Sequence, residues 1–197
     1  SIGHGLNSAP DLIITKRRTG AYDWDVRSSS LTSFEYRLNL NTTSSALDLS
    51  AYPVASPTSS VFYTNWVTTQ NISGEDFIAY CFHSVEGFSK FGSYTGNGST
   101  DGTFVYTGFR PAFVIIKRAN TFGNWMIQDT TRSPYNASNT ILLPNEAGAE
   151  QSNAAWNMDF LSNGFKPRSA DGLLNSTSDT FIYMAFAEMP FKYSNAR

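Results

Sequence analysis

Two acidic residues, Asp23 and Asp25, flank Trp24 on a predicted β-strand. Because alternate side chains of a strand point to the same face, the two carboxylates would share one face of a sheet. Carboxylate pairs serve as acid and base or nucleophile in glycosidases, and they also bind hard cations. An exposed strand face carrying two acids is the more common outcome. The pair therefore supports only a minor hypothesis, a polysaccharide-degrading enzyme.

Cys81 and His83 lie two residues apart on another predicted strand, a spacing at which a thiol nucleophile and an imidazole base would be neighbours. The second half of the chain carries Ala185 and Ala187 at the corresponding positions, which favours a small buried side chain at residue 81. The chain has two histidines and one cysteine, without the paired spacing of a zinc site. We therefore predict no catalytic residue, no metal site and no cofactor.

The aromatic residues suggest binding. Trp24 and Trp125 occupy the same position in the two halves of the chain, so we expect both to pack in the fold. Trp66 and Trp156 have no tryptophan counterpart, and Tyr135 lies in a predicted turn. Because aromatic rings stack on sugar rings and on apolar patches of partners, these three residues are the candidate ligand-binding residues. Local packing under a loop is the alternative interpretation for them.

An internal repeat underlies this comparison of the two halves. Residues 10–17 and Trp24 return as residues 111–118 and Trp125, at a constant offset of 101 (111 − 10 and 125 − 24). Residues 77–82 return as residues 181–186, at an offset of 104 (181 − 77). Duplicated strands joined by loops of different length leave this pattern, so we predict a tandem repeat of about one hundred residues. A residue present in one copy only is free to serve function.

The elements that must position these residues are short strands. Segments rich in β-branched and aromatic residues are separated by clusters of Ser, Thr, Asn, Gly and Pro, and helical periodicity is nearly absent; the clearest segments are residues 12–15, 34–40, 61–67 and 77–82. The sequence predicts an all-β fold: two tandem repeats of a small antiparallel β-sandwich, packed against each other. The tight-turn dipeptides of residues 96–102 place the boundary there, giving domains 1–96 and 97–197.

Composition limits the function classes. A net charge of −2 with 15% charged residues argues against nucleic-acid binding, which needs clustered Lys and Arg. No stretch approaches the roughly eighteen apolar residues of a membrane span, so membrane insertion is not predicted. Residues 1–6 align with residues 104–109, where the second copy is already inside its first strand. We therefore expect the chain to be a piece of a longer polypeptide.

Several motifs together resemble a domain of the structural proteins of tailed bacteriophages. The motifs are residues 87–102, 104–117, 160–165 and 185–193, and the resemblance covers nearly the whole chain. Members of that family are mostly virion-associated or tail-fibre-like, so the resemblance implies a location in the virion more firmly than an activity. It carries over no catalytic or ligand-binding residue. Trp66 departs from the pattern, because a glycine is expected there, as at Gly164.

The resemblance implies a non-enzymatic virion protein, a domain of a tail fibre or spike that attaches to host-surface polysaccharide. The alternative is a capsid or tail decoration protein that packs on other virion subunits. Fibre tips are usually threefold, so the first hypothesis predicts a homotrimer. Other virion proteins and host polysaccharide are then the expected partners.

Overall fold

The structure is a computed structural model of the 197-residue chain and describes residues 1–64 and 71–190. It is all-β, as predicted: every ladder between described strands is antiparallel, and the one helical element in the described ranges is a 3-10 turn at Ala154–Trp156. The chain divides into two compact units, Ser1–His83 (unit 1) and Ser84–Arg197 (unit 2).

Unit 1 is built on a five-stranded antiparallel sheet. Its strands are β1 (Ile2–Gly3), β2 (Leu12–Arg17), β3 (Trp24–Ser28), β4 (Tyr36–Asn39), β5 (Leu47–Asp48), β6 (Val61–Phe62) and β7 (Phe77–Phe82). The sheet has the order β5-β4-β3-β2-β7, and β1 pairs with β6 separately. The predicted strand 61–67 is shorter in the structure: β6 ends at Phe62, residues 63–64 are not in a strand, and residues 65–67 lie outside the described ranges.

Unit 2 contains a four-stranded, a three-stranded and a two-stranded sheet. Its strands are β8 (Ser89–Thr95), β9 (Val105–Tyr106), β10 (Pro111–Arg118), β11 (Trp125–Asp129), β12 (Thr140–Ile141), β13 (Gln151–Ser152), β14 (Met158–Leu161), β15 (Gly164–Pro167) and β16 (Thr180–Ala187). The sheets have the orders β11-β10-β16-β8, β14-β15-β9 and β12-β13.

The core of unit 2 lies between its two larger sheets. Alternate residues of β10 and β16 and the inward residues of β14 and β15 belong to one buried cluster, as expected when two sheets pack face to face. Tyr94 of β8 stacks on Phe181 with ring centroids 5.1 Å apart and meets the edge of Phe165 at 6.0 Å. Burying such rings stabilises the unit by about 1.5–3 kcal/mol each.

Three strands pair in the same order and register in the two units. In unit 1, Lys16 lies opposite Trp24; in unit 2, Lys117 lies opposite Trp125. Strands β7 and β16 also pair with β2 and β10 at matching positions, since Arg17 faces Phe77 and Arg118 faces Phe181. These pairs are separated by the offsets of 101 and 104 that the sequence comparison gives (117 − 16 and 181 − 77).

An asparagine fixes the start of the Trp24 strand and of its counterpart. Asn41 accepts a hydrogen bond from the N–H of Trp24 and donates to the side chain of Asp23, both at 2.8 Å. Asn145 accepts from the N–H of Trp125 and donates to the side chain of residue 124, again at 2.8 Å. The sequence comparison did not identify this pair of asparagines, because the residues around them differ between the two halves.

The unit boundary differs from the predicted one. The chain divides after His83, whereas the sequence placed the boundary after residue 96. Strand β8 pairs along its length with β16, so this segment belongs to unit 2. The loop 96–102 is also packed inside unit 2: Gly98 has φ +65°, and a Cβ there would overlap the hydroxyl of Thr177. Its glycines serve close packing as well as turning.

Asn175 holds that loop in place. It is fully buried, and its side-chain amide donates to the side chain of Asn97 and to the carbonyl of Ser99, both at 2.8 Å. Its side-chain oxygen accepts from the N–H of Asn97 at 3.0 Å. A polar loop therefore finds its hydrogen bonds within the unit, as buried backbone groups require.

Candidate functional site

The carboxylate pair of unit 1 is engaged in structural contacts. Asp25 is 0% exposed, and it forms ion pairs with Arg37 at 3.0 Å and with Arg27 at 3.7 Å. Asp23 accepts hydrogen bonds from the side-chain amides of Asn39 at 3.0 Å and Asn41 at 2.8 Å. Both carboxylates therefore bind neighbouring side chains of their own sheet.

The buried ion cluster, Asp25 with Arg27 and Arg37, is peculiar to unit 1. The register equivalence places Met126 and Gln128 of unit 2 where Asp25 and Arg27 stand. Burial lowers the pKa of Arg27, and the charge of Arg37 lowers it further, while Asp25 acts in the opposite direction. Arg27 also donates to the carbonyl of Phe34 at 2.5 Å. The arginines thus surround a single buried anion.

A polar cleft opens beside this cluster. Its volume is about 230 Å³, and its lining residues are Arg37, Asn39, Ser44, Ser45, Ala46 and Leu47. Side chains with hydroxyl, amide and guanidinium groups are among the lining residues, and such groups are suited to hydrogen-bonding a polar ligand. The sequence analysis missed this cleft, since residues 44–46 have only loop character and lie between two short strands.

Cys81 and His83 do not gain the features of a catalytic pair. Cys81 lies half-buried on β7, and burial raises the pKa of its thiol, which keeps the sulfur protonated and weakly nucleophilic near neutral pH. Among the described residues, no group of three or more His, Cys, Asp and Glu side chains is placed to hold a metal ion.

Tyr135 is the more exposed of the two predicted ligand-binding residues that lie in the described ranges. Its side chain is 83% exposed on the loop between β11 and β12. The segment before it is fixed by Asp129, whose carboxylate accepts from the N–H groups of Thr131 at 3.0 Å and Arg132 at 2.8 Å. An ion pair of 2.9 Å joins the same carboxylate to Arg132.

The segment after Tyr135 is anchored as well. Asn136 donates its side-chain amide to the carbonyl of Phe160 at 3.0 Å and accepts from the N–H of Phe160 at 2.9 Å. These two bonds tie the loop to strand β14 as a neighbouring strand would. The ring of Tyr135 is therefore presented to solvent by a loop secured on both sides. Preorganised rings lose little conformational entropy when they bind.

Of the other two predicted ligand-binding residues, Trp156 is described by the structure and Trp66 is not. Trp156 ends the 3-10 turn and is partly buried against the core cluster of unit 2, and its carbonyl accepts from Gln128 at 2.7 Å. This position matches the local-packing interpretation. Trp66 lies outside the described residues. Of the two predicted residues that the structure describes, Tyr135 is the one with an exposed ring.

Other exposed aromatic side chains in unit 2 were not singled out from the sequence. Phe122 is 75% exposed and Tyr106 is 63% exposed. No motif surrounds Phe122, and the motif of residues 104–117 that contains Tyr106 does not indicate exposure, so only the structure identifies these two rings as exposed. They offer controls for the role of Tyr135.

Comparisons with known proteins give one family. Residues 1–190 match the model of a family described as a domain of unknown function, DUF7483. No curated protein and no solved structure matches the chain. Within the described ranges, no helix is long and apolar enough to cross a membrane.

Proposed function

This chain belongs to the DUF7483 family, and we propose that it is a non-enzymatic structural protein of a tailed-bacteriophage virion. In this proposal it is a domain of a tail fibre or spike that attaches the particle to polysaccharide on the host surface. Its partners are other virion proteins and the host glycan, and its location is the extracellular particle. The phage-like motifs along nearly the whole chain support the location.

The exposed ring of Tyr135 on its anchored loop is the observation that carries the attachment role. Aromatic rings in sugar-binding sites offer a flat apolar face to the C–H groups of a pyranose ring. The side chain of Arg132, three residues before Tyr135, is 31% exposed; it pairs with Asp129 and Glu150, and its remaining N–H donors suit sugar hydroxyls or carboxylates. Asp129 holds the backbone before Tyr135 and the guanidinium of Arg132, and Asn136 anchors the chain after Tyr135, so the surface needs little rearrangement to bind.

The polar cleft of unit 1 is a second candidate contact for the same class of ligand. Ser44, Ser45 and Asn39 present hydroxyl and amide groups beside the cation of Arg37. An acidic or heavily hydroxylated sugar fits this chemistry. Its hydroxyl groups both donate and accept hydrogen bonds, and a carboxylate group accepts them.

The non-enzymatic assignment rests on how the carboxylates are used. A glycosidase needs one carboxyl group as an acid and a second as a base or nucleophile, both facing the substrate. Asp25 is buried between two arginines, and Asp23 is bound by two asparagines. The enzyme hypothesis on this pair therefore has little support.

A decoration protein of the capsid or tail is the second candidate function. The exposed apolar side chains on strand β7, Ile78 at 39% and Tyr80 at 43%, favour it, since such side chains suit contact with other virion subunits. Labelling of the chain along the capsid or tail tube of intact particles, with none at fibre tips, would select this function.

The test is binding of the purified chain to a panel of bacterial surface polysaccharides and to whole cells. Tyr135→Ala is the main variant, and Tyr106→Ala is its matched control, an exposed tyrosine elsewhere in unit 2. Trp66→Ala and Trp156→Ala complete the set, each checked for folding by circular dichroism. We expect saturable binding that Tyr135→Ala weakens by about 10-fold, the loss of about 1.4 kcal/mol.

Equal binding by the wild type and by Tyr135→Ala would remove the attachment site from this loop. The oligomeric state of the chain, measured by sedimentation, complements the binding assay. A fibre-tip domain is expected to form a trimer, whereas a decoration protein does not require threefold symmetry. Release of new reducing ends from any polysaccharide on the panel would contradict the non-enzymatic assignment.

A further inference from the structure

Strand β7 ends the five-stranded sheet of unit 1. Among the described residues its one neighbouring strand is β2, and it contains no charged residue. Proteins usually protect such an edge with charges, proline or a covering element, since an open edge pairs readily with another strand. Residues 77–82 are apolar on both faces, a pattern that is typical of a central strand and unusual at an edge.

The outward backbone groups of β7 follow from its register. The N–H of Arg18 donates to the carbonyl of Asp76 at 2.9 Å. Hydrogen-bonded and non-hydrogen-bonded pairs alternate along an antiparallel ladder, so residues 78 and 80 also turn their groups to β2. Phe77, Ala79 and Cys81 then direct their N–H and C=O groups away from the sheet.

Unit 2 has a strand at the equivalent edge. Strand β16 corresponds to β7, and it lies between β10 and β8. The residues equivalent to Phe77, Ala79 and Cys81 are Phe181, Tyr183 and Ala185, and these face Tyr94, Gly92 and Lys90 of β8. All five residues from Phe181 to Ala185 are buried, whereas residues 78–80 of β7 are exposed.

We propose that the edge of β7 is an acceptor site for an extended segment of a partner polypeptide, which pairs antiparallel to β7 as β8 pairs to β16. The partner segment completes unit 1 by β-strand addition. This site is independent of glycan attachment and goes beyond it, because it assigns a protein partner to unit 1.

The neighbours of β8 define the chemistry of the segment. Tyr94 stacks on Phe181, so an aromatic residue suits the position opposite Phe77. Gly92 lies under the ring of Tyr183, where a Cβ would come within 2.7 Å of its hydroxyl oxygen. Unit 1 has Ala79 at that place, which leaves room for a larger residue in the partner segment. An uncharged strand with an aromatic residue at one end therefore fits the edge.

The first experiment adds such a strand to the full chain. A copy of residues 84–103 is joined ahead of Ser1, which places a second β8 sequence before β1 at the spacing that separates β8 from β9. Lys90→Cys in the appended copy brings a thiol opposite Cys81, within the Cα separation that a disulfide spans. Gly92→Cys in the copy is the matched control, since it lies two residues away from that position.

We expect oxidised glutathione to link Cys81 to the first variant and to leave the control largely unlinked. Hydrogen exchange at Phe77, Ala79 and Cys81 is expected to slow at least 10-fold in the extended chain relative to the original chain. Ala79→Pro in the extended chain removes one outward donor and should reverse part of that protection.

The second experiment uses a synthetic peptide of residues 87–97 as a partner in trans. We expect it to slow exchange at the same three amides of the original chain. Equal linking of the two cysteine variants with unchanged exchange in both experiments would overturn the proposal. Protection of these amides in the original chain without added peptide would also overturn the proposal. If sedimentation then showed a dimer, the edge would be paired with a second copy; if it showed a monomer, the edge would be paired within the chain itself.

Discussion

The side-chain oxygen of Asn145 accepts a hydrogen bond from the buried backbone N–H of Trp125 at 2.8 Å. The same bond joins Asn41 to Trp24 at 2.8 Å in unit 1. The two bonds have equal lengths but different surroundings, because Trp125 is 1% exposed and Trp24 is only half-buried. A buried donor left without an acceptor destabilises the fold by its full desolvation penalty, whereas a partly exposed donor can form a hydrogen bond with water.

Replacing Asn145 with Ala should therefore cost more than replacing Asn41. We expect Asn145→Ala to lower the free energy of unfolding of unit 2 by about 2 kcal/mol, and Asn41→Ala to lower that of unit 1 by about 1 kcal/mol. Urea titrations followed by circular dichroism measure both values. Equal losses would mean that the two asparagines support their strands in the same way despite the difference in burial.

Removing the buried anion of unit 1 should destabilise it strongly. Asp25→Met leaves Arg27 and Arg37 without that carboxylate, and we expect a loss of about 3–5 kcal/mol. Leu38 lies opposite Val26 as Leu142 lies opposite Ile127, so Ile141 is the counterpart of Arg37. The variant that also carries Arg27→Gln and Arg37→Ile therefore copies Met126, Gln128 and Ile141 of unit 2, and should regain at least half of the loss. Thermal unfolding of both variants tests this, and a triple variant less stable than the single one would contradict it.

The buried Lys117 should make stability depend on pH. Burial lowers its pKa to about 8, and its ammonium donates to the carbonyl of Gly123 at 2.8 Å. Between pH 8 and the ordinary lysine pKa, the unfolded chain binds more protons than the folded chain, so stability rises with pH. Urea midpoints measured from pH 7.5 to 9.5 should increase for the wild type.

Lys117→Met is the control for this dependence. It removes the titrating group while keeping a long apolar side chain, so the increase with pH should be smaller than in the wild type. The range stops below pH 10 because burial raises the pKa of Tyr183 to about 12, and that shift lowers stability above the ordinary tyrosine pKa. Parallel curves for the two proteins would mean that Lys117 titrates normally.

The loss of stability on replacing a tryptophan with alanine should increase with the burial of its side chain. Trp125→Ala is expected to cost about 3–5 kcal/mol because it empties a fully buried site, whereas Trp24→Ala should cost less. Trp156→Ala should also be destabilising, since its ring packs on the core of unit 2. Denaturant unfolding of the three variants gives the order. A neutral Trp156→Ala would revive its interpretation as a surface residue.

The loop 96–102 should depend on Asn175. Asn175→Ala removes hydrogen bonds to Asn97 and Ser99, and we expect a loss of about 2–3 kcal/mol together with faster proteolysis within the loop. Asn97→Ala keeps the bond from Asn175 to Ser99 and should cost less. An Asn175→Ala protein as protease-resistant as the wild type would show that the backbone hydrogen bonds, ion pairs and glycine packing of the loop secure it without Asn175.

The sequence predicted much of the strand framework. Short-range patterns identify β2, β3, β10 and β16, and the repeat offsets agree with the observed pairing of Lys16 with Trp24 and of Lys117 with Trp125. Alternation along a strand says which side chains share a face. It does not say which face is buried, so the burial of Asp25 could not be predicted from its spacing to Asp23.

Long-range contacts account for the remaining differences. The polar turn at residues 96–102 has the composition of a linker, and contacts with distant residues, such as the bond from Asn97 to Asn175, 78 positions away, make it part of unit 2. The apolar sequence of β7 suits a central strand, yet its place at the edge depends on which strands reach it. The sequence placed Tyr135 in a turn but did not predict how its loop is anchored. The anchoring bonds join Asn136 to Phe160, which lies on a strand distant in sequence.

The position of β16 has a consequence for how unit 2 forms during synthesis. Among the described residues it is the last strand of the unit in the chain, but it lies in the middle of the four-stranded sheet, between β10 and β8. Strand β8 leaves the ribosome about ninety residues before its partner, and such distant pairings are slow to form. Until residue 187 has emerged, β8 and β10 each expose an edge, so nascent unit 2 is at greatest risk of mispairing just before translation of β16 ends.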